Sequence, residues 1–393
     1  MSPKNWLPLI GITISVFIFN MSEFMPIGLL TDISMDLGIT ESKAGMIISI
    51  YAWAVAILSL PIMLLLRKME YRRMLLMCIA LFAGFQILSG ISDSYEMLIM
   101  ARLGVAVSHS IFWSIATPLA VRVVTMEYRR LAISMVATGT SIAMIAGLPI
   151  GRMIGLAMGW RASFISIAIV AIFALILLVM VFPRVENPGT FTLRRLPELF
   201  KNKALVGIYV VIAIFVTGYY AGYSYIEPFM IQIANLSESM TTVGLTIFGF
   251  AGIVGSFVFT KYYDRIRYKF LIGSILGVSV CLMLLNISAY SAIMVMMACM
   301  FWGFFATAFN VSFQSEAIRT SPMDASAISM SMYSGIFNVG IAMGSIIGGI
   351  TTDTISIGSI GYVGGAFTMI ALIFTCTYLV KQMKSTDSIT ERS

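Results

Sequence analysis

Twelve apolar stretches, each close to the length that crosses a bilayer, run through this chain and leave it very few folds. A helix rises 1.5 Å per residue, so about 20 apolar residues span the hydrocarbon, whereas barrel strands need only about 9 to 11. Such stretches occupy 6–30, 44–66, 74–92, 97–121, 131–158, 162–182, 205–231, 242–260, 270–289, 292–317, 326–350 and 360–380. In lipid each backbone N–H and C=O must be satisfied within its own segment or a closed sheet, and segments this long do so as helices. The expected fold class is therefore an all-α membrane protein of twelve transmembrane helices. Composition agrees, because only 11% of the 393 residues are charged, against roughly 25% in an average soluble domain.

The net charge of +7 is distributed as a topology signal, which argues against nucleic acid as a partner. With the N-terminus inside, the inner segments hold Arg67, Lys68, Arg72 and Arg73, and later Lys261, Arg265, Arg267 and Lys269, while the outer loops hold only Lys43 and Arg161. Lys/Arg asymmetry orients a polytopic chain, so both termini are expected in the cytoplasm. No cleavable signal is expected: the first apolar stretch exceeds a usual core of about 7 to 15 residues, and no small-residue cleavage site follows it.

A charged stretch over 183–204, with Pro188, Gly189 and Pro197, divides six spans from six. The expected organisation is a six-helix bundle over 1–182, a cytoplasmic linker over 183–204, and a second six-helix bundle over 205–393 with a short cytoplasmic tail. RKMEYRRMLL, Arg67 to Leu76, follows the second span, and DRIRYKFL, Asp264 to Leu271, follows the eighth. That likeness points to a duplication.

Enzyme chemistry finds little purchase. Cys78, Cys281, Cys299 and Cys376 fall within expected spans without a C-x-x-C pair, so they read as packing residues rather than a disulfide frame or metal site. One histidine excludes the two-His zinc motif, and neither a Walker loop nor a nucleophile elbow is present. GTSIA, Gly139 to Ala143, is a near-miss within a span. No cofactor and no metal is expected.

The polar residues inside the spans are the site candidates, because an ionisable group in a membrane-length apolar run is expensive and by default functional. Asn20, Glu23 and Pro26 recur at steps of three in the first span, on one helical face. Glu23 lies about 17 residues past Trp6, a little outside the midplane. Burial and a neighbouring cation act on such a carboxyl in opposite senses, so its proton occupancy can report the state of a cavity; the alternative is a structural hydrogen bond near the Pro26 break.

Arg102, His109 and Trp113 form one stripe of the fourth span, with His109 near the midplane and Arg102 about 10 Å further out. A lone His is often a satisfied core residue, yet an imidazole titrates near working pH. In the seventh span Tyr219, Tyr223 and Glu227 repeat every four residues. Aromatic rings offer stacking faces, while phenol and carboxylate groups bond hydroxyls. The competing account, an interfacial aromatic belt, suits Tyr225 and Glu227 better than the mid-span Tyr219. Asn310 and Gln314, then Ser334 and Asn338, recur at i and i+4 in the tenth and eleventh spans. Interhelical glue explains any one of them, and Asn338, nearest the centre, ranks first as a ligand. Thirty methionines read as plastic packing.

The 6+6 layout resembles the major facilitator superfamily. ARLGVAVSHSIFWS resembles its Arg-containing fourth-helix motif, and GTSIAMIAGLPIGRMIG resembles its Gly/Pro antiporter motif. NMSEFMPIGLLTDI, SIYAWAVAILSLP, GLPIGR with the later GWR, YSYIEPF and SGIFNVGIAMG together resemble bacterial sugar efflux transporters of the drug:proton antiporter-like branch. Departures stand beside these strings. Ala106 stands where the fourth-helix motif usually has Gly, the first cytoplasmic loop lacks the usual Gly and Asp and has Met69 and Glu70 nearby, and the later loop keeps Asp264 and Arg265 but has Thr260 and Arg267 where Gly is usual.

The resemblance implies a proton-driven exporter of small sugars such as arabinose and of sugar-like thiogalactosides, in the bacterial inner membrane; separately, a monomer is expected. Such transporters place substrate near the midplane between their halves. Because the family's first and fourth helices line one cavity, Glu23 is expected opposite His109 or Arg102. Glu23 and His109 are the expected titrating pair, with Arg102 their modulator. Asn20, Trp113, Tyr219, Tyr223, Glu227, Asn310 and Asn338 are the expected binding set. Gly147, Pro149, Gly151 and Arg152, with Asp264 and Arg265, are the expected packing and gating residues. A multidrug antiporter for lipophilic or cationic compounds is the alternative, mildly disfavoured by Arg102 and Arg152 beside the acids.

Overall fold

A computed structural model describes residues 3–66, 68–185, 196–321 and 326–390. Regular secondary structure among the described residues is entirely helical, and the chain divides into two compact units, Met1–Phe191 and Thr192–Ser393. Of the linker expected over 183–204, residues 186–195 lie outside the described residues.

In the first unit, α1 (Pro3–Phe24) gives way to a 3-10 turn, Met25–Leu29, with Pro26 at its start. Proline lacks the N–H and clashes with the preceding turn, so the span breaks here. The chain then continues as α2 (Leu30–Leu37), ended by Gly38 at φ 62°, a left-handed cap that glycine adopts without steric penalty. There follow α3 (Glu41–Leu66), α4 (Tyr71–Gly90) and α5 (Tyr95–Arg122), the last capped by the Ser94 hydroxyl accepting from the Met97 N–H at 3.3 Å. The fifth expected span is broken. It runs as α6 (Arg129–Ile142), a turn of π-helix (Ala143–Gly147) and α7 (Leu148–Met158), and Gly159 then turns the chain into α8 (Trp160–Val181).

The second unit comprises α9 (Leu196–Lys201), α10 (Lys203–Tyr223), α11 (Ile226–Gln232), α12 (Glu238–Met283), α13 (Leu285–Ser288), α14 (Ala292–Thr320), α15 (Ser326–Thr354), α16 (Ile360–Phe374), a π-helical turn (Thr375–Leu379) and α17 (Val380–Thr390). Eleven helices of the described residues are long and apolar enough to cross a membrane, and the interrupted α6–α7 pair supplies the remaining expected span.

One boundary differs from expectation. The loop expected between the eighth and ninth spans is helical, and only Ile266, at φ −130° and ψ 30°, leaves helical geometry inside α12. KYYDRIRYKF contains neither Gly nor Pro, so nothing local stops the helix and the turn between spans shrinks to one residue.

Two glycine ladders set the helix packing, one in each unit. Cβ atoms added at Gly139, Gly147, Gly151 and Gly155 would meet Thr13, Met21, Met25 and Leu29 in step, so α6–α7 lies against the first span along its length. In the second unit Gly340, Gly344 and Gly348 of α15 meet Val216, Thr217 and Ala221 of α10 in the same manner. Small residues let backbones approach where lipid provides no hydrophobic drive between helices. The repetition makes the two units similar in construction.

Candidate functional site

The polar face of α1 points into the core of the first unit. Glu23 Oε2 lies 3.7 Å from His109 Nε2 of α5, beyond a hydrogen bond and within ion-pair reach. The other ring nitrogen, Nδ1, is 2.6 Å from the Tyr51 hydroxyl of α3. Arg102 sends Nη1 to Ser22 Oγ and Nη2 to the Ser22 carbonyl, each at 3.0 Å, and its guanidinium rests over the Tyr51 ring at 4.5 Å. Ser22 Oγ also accepts from Gln86 Nε2 of α4. The Arg102 charge is thus fixed on the residue preceding Glu23, reaching from α5 to α1 and over a ring of α3, while α4 holds the same Ser22 hydroxyl.

Aromatic rings wall this cluster. Phe19 stacks on Phe82 at 3.9 Å and on Phe112 at 4.2 Å, and both Phe19 and Trp113 stand 6.0 Å from the imidazole. Asn20 is buried and donates to the Val16 carbonyl at 2.8 Å, while Trp113 is half-buried. Carboxyl, imidazole and phenol therefore stand in a row. The first two exchange protons readily, whereas the guanidinium keeps its charge. Gln86 Oε1 and Arg102 Nε are buried without a hydrogen-bond partner.

Tyr51, Ser22 and Gln86 escape a reading of the sequence. Serine is common in membrane helices, and a tyrosine in an apolar run reads as a belt residue, so only the fold reveals what they touch.

In the second unit the expected sugar residues sit in an aromatic cluster. Tyr219 stacks on Tyr223 at 5.1 Å, Tyr223 on Phe248 at 5.0 Å, and Trp302 stands edge-on to all three at 5.8 to 5.9 Å. Trp302 is fully buried with its indole N–H unpartnered; a tryptophan in the middle of the tenth span was the signal that sequence reasoning passed over. Asn338 donates to the Ser334 carbonyl at 2.9 Å and leaves its buried Oδ1 without a partner. Asn310 is half-buried, and Gln314 and Ser334 are exposed.

The belt account of Tyr225 and Glu227 is corrected. Both have no exposed surface, and the Tyr225 hydroxyl donates to the Ser345 carbonyl at 3.0 Å. The chain breaks between α10 and α11 at Ser224 and Tyr225, which turns the ring inward against α15 instead of along the surface.

Gly147, Pro149, Gly151 and Arg152 are buried along the α1 contact, and Arg152 Nη1 donates to the Gly28 carbonyl freed by the 3-10 turn. Asp264 and Arg265 are exposed. The ionic junction beside them belongs to Arg267, which grips Glu316 of α14 through two nitrogens and Asp387 of α17 at 2.6 Å, with the Tyr263 hydroxyl on Glu316 and the Tyr268 hydroxyl on Asp387. Cys78, Cys281 and Cys299 are buried thiols, and Cys376 is exposed. Among the described residues no group of three or more His, Cys, Asp or Glu side chains is placed to hold a metal.

Solved structures share this architecture. A D-xylose-proton symporter aligns over 95% of this chain and 98% of its own, with TM-score 0.77 and 14% identity. A POT family transporter in complex with 5-aminolevulinic acid covers 96% of each chain with TM-score 0.77 and 12% identity. A bacterial homolog of the human lysosomal transporter Spinster covers 97% of this chain and 96% of its own, with TM-score 0.69 and 14% identity. At these identities the likeness speaks for the fold. The family profile described as Major Facilitator Superfamily matches residues 12–329 and again 208–392. Twelve spans in two similarly built units and a profile match across most of the sequence have one consequence: the chain belongs to the Major Facilitator Superfamily.

Proposed function

We propose that this transporter exports small sugars and sugar-like molecules in exchange for protons, by alternating access, acting as a monomer in the bacterial inner membrane with both termini in the cytoplasm. The observation that carries the proton half is the Glu23 carboxyl 3.7 Å from the His109 imidazole inside a membrane-spanning bundle. A titratable pair in that setting is costly unless it has work to do, and proton relays are built from such residues. Glu23 and His109 form the proton-carrying pair, and Arg102 tunes it. The sugar half rests on the resemblance of the sequence strings and on a second-unit cluster that offers stacking rings, phenols and the unpaired Asn338 amide oxygen. Within the second unit Tyr219, Tyr223 and Trp302 provide stacking faces and Asn338 a hydrogen-bonding amide, with the half-buried Asn310 as further polar surface.

Labelled arabinose and inverted vesicles test this directly, by comparing counterflow with uptake driven by a pH gradient. Glu23→Gln is expected to abolish gradient-driven uptake while exchange survives. Full retention of both would sink the coupling reading.

A second reading is favoured by the unbroken ring surface of Tyr219, Tyr223, Phe248 and Trp302, which suits flat lipophilic compounds as well as sugar faces. Protection of growing cells against a dye panel, without any effect on accumulation of thiogalactosides, would select that multidrug reading.

A further inference from the structure

We propose that Tyr51 is the positioning residue of the Glu23–His109 pair: its hydroxyl donates to Nδ1 of the neutral imidazole and accepts from Nδ1 of the imidazolium, committing Nε2 to Glu23 in both charge states. This rests on the reading of Glu23 and His109 as the proton-carrying pair.

The two ring nitrogens have different neighbours. Nδ1 is closed by the Tyr51 oxygen at 2.6 Å, whereas Nε2 looks across 3.7 Å to Glu23 Oε2. Which nitrogen of a neutral imidazole carries the proton is set by the bond that the other one makes. With Tyr51 O–H donating to Nδ1, the ring proton sits on Nε2, the nitrogen that faces the Glu23 carboxyl at 3.7 Å. When the pair takes up one proton from water, that proton resides on Nδ1. The Tyr51 O–H then turns away, leaving a lone pair to accept from it, and release reverses both movements. A phenol is donor and acceptor in one group, which Phe or Leu at this position is not.

Tyr51 is itself held in place. The residue is 2% exposed, and its ring stands edge-on to the imidazole at 5.5 Å and lies under the Arg102 guanidinium that Ser22 holds by two hydrogen bonds. The charged and titratable groups gathered at the imidazole are Glu23 from α1, Tyr51 from α3 and Arg102 from α5 itself. From α4 come Phe82 and Gln86, and Cys78 of that helix gives its S–H to the Leu75 carbonyl. Among the described side chains α6 brings no charged group, and α8 brings Phe164, whose ring lies 5.8 Å from the Arg102 guanidinium.

His109 is the only histidine in the chain, so full-length protein labelled with 15N-histidine in lipid gives one pair of ring-nitrogen signals. At alkaline pH the wild type is expected to carry its proton on Nε2, and Tyr51→Phe to lose that preference. In vesicles Tyr51→Phe is expected to lower gradient-driven uptake relative to counterflow by about tenfold, the scale of one lost hydrogen bond to an ionising group, and to displace the pH profile of transport. A wild-type neutral ring protonated on Nδ1, or Tyr51→Phe with the wild-type tautomer or the wild-type pH profile, overturns the proposal. The wild-type spectrum decides even where the variant does not fold. Failure of the pair reading is seen separately, as Glu23→Gln that still responds to the gradient.

Discussion

Arg102 reaches Ser22 twice, with Nη1 on the hydroxyl and Nη2 on the carbonyl, both at 3.0 Å. The carbonyl of a helical residue ordinarily serves the next turn, and here the broken span after Phe24 leaves it available to a side chain. The Pro26 break and the position of the Arg102 charge are therefore one arrangement.

Ser22→Ala deletes the oxygen that both Arg102 and Gln86 use. Two buried donors lose a partner while the Nη2 bond to the carbonyl survives, so a loss of about 1–3 kcal/mol is expected. Arg102→Lys keeps the charge but not the two-pronged fork, and its melting temperature should fall at least as far. Thermal unfolding in detergent checks the order.

The junction at Arg267 predicts an unequal pair of effects. Glu316 is 1% exposed beside Arg267 at 10%, whereas Asp387 is 32% exposed. Arg267→Ala strands a buried carboxylate and should cost about 3–5 kcal/mol. Asp387→Ala removes a solvent-screened partner and should cost about 0–1 kcal/mol. Glu316→Gln added to Arg267→Ala should recover part of the loss, and equal melting temperatures for all three variants would contradict this account.

Close packing predicts a contrast between two glycines. A Cβ at Gly303 would fall 2.0 Å from the Phe248 carbonyl oxygen, a backbone atom with nowhere to go, while Gly84 has open space around it. Gly303→Ala should destabilise by about 1–3 kcal/mol or more. Gly84→Ala should be neutral or slightly stabilising, since alanine favours helix by about 1 kcal/mol in this position. Yield and melting temperature of the purified variants read the difference.

Asn338 separates stability from binding. Its buried Oδ1 lacks a partner, so Asn338→Leu removes an unsatisfied group and should leave the melting temperature nearly unchanged. Loss of one substrate hydrogen bond should weaken sugar affinity by about 2- to 10-fold. Substrate-protected thermal shift across a sugar panel measures both quantities in one series; undiminished protection by every sugar would remove Asn338 from the site.

Much of the fold is legible because its signals are local. Runs of apolar residues mark the spans, Pro26 marks the break in the first of them, and the Gly/Pro-rich fifth span is visible as the one that must lie close to a neighbour. Other features escape for equally physical reasons. KYYDRIRYKF reads as a charged loop, yet it contains no helix breaker and stays helical except at Ile266. Tyr225 reads as a belt residue until the turn at Ser224 rotates it onto Ser345. Asp264 and Arg265 stand out by likeness, whereas Arg267 makes the ion pairs, because Arg267 lies two residues past Arg265, about 200° further round a regular helix, and Ile266 leaves helical geometry between them.

The sequence by itself determined that the chain is built of membrane-crossing helices and which of them carry ionisable side chains, since hydrophobic length and residue type need no knowledge of neighbours. Only the tertiary structure decided that Glu23 meets His109, that Tyr51 closes the other ring nitrogen, and that Ser22 anchors Arg102. Those meetings depend on the depth and rotation of α1, α3, α4 and α5 against one another. A glycine ladder, a proline break and ring packing set these jointly, and no single helix encodes them.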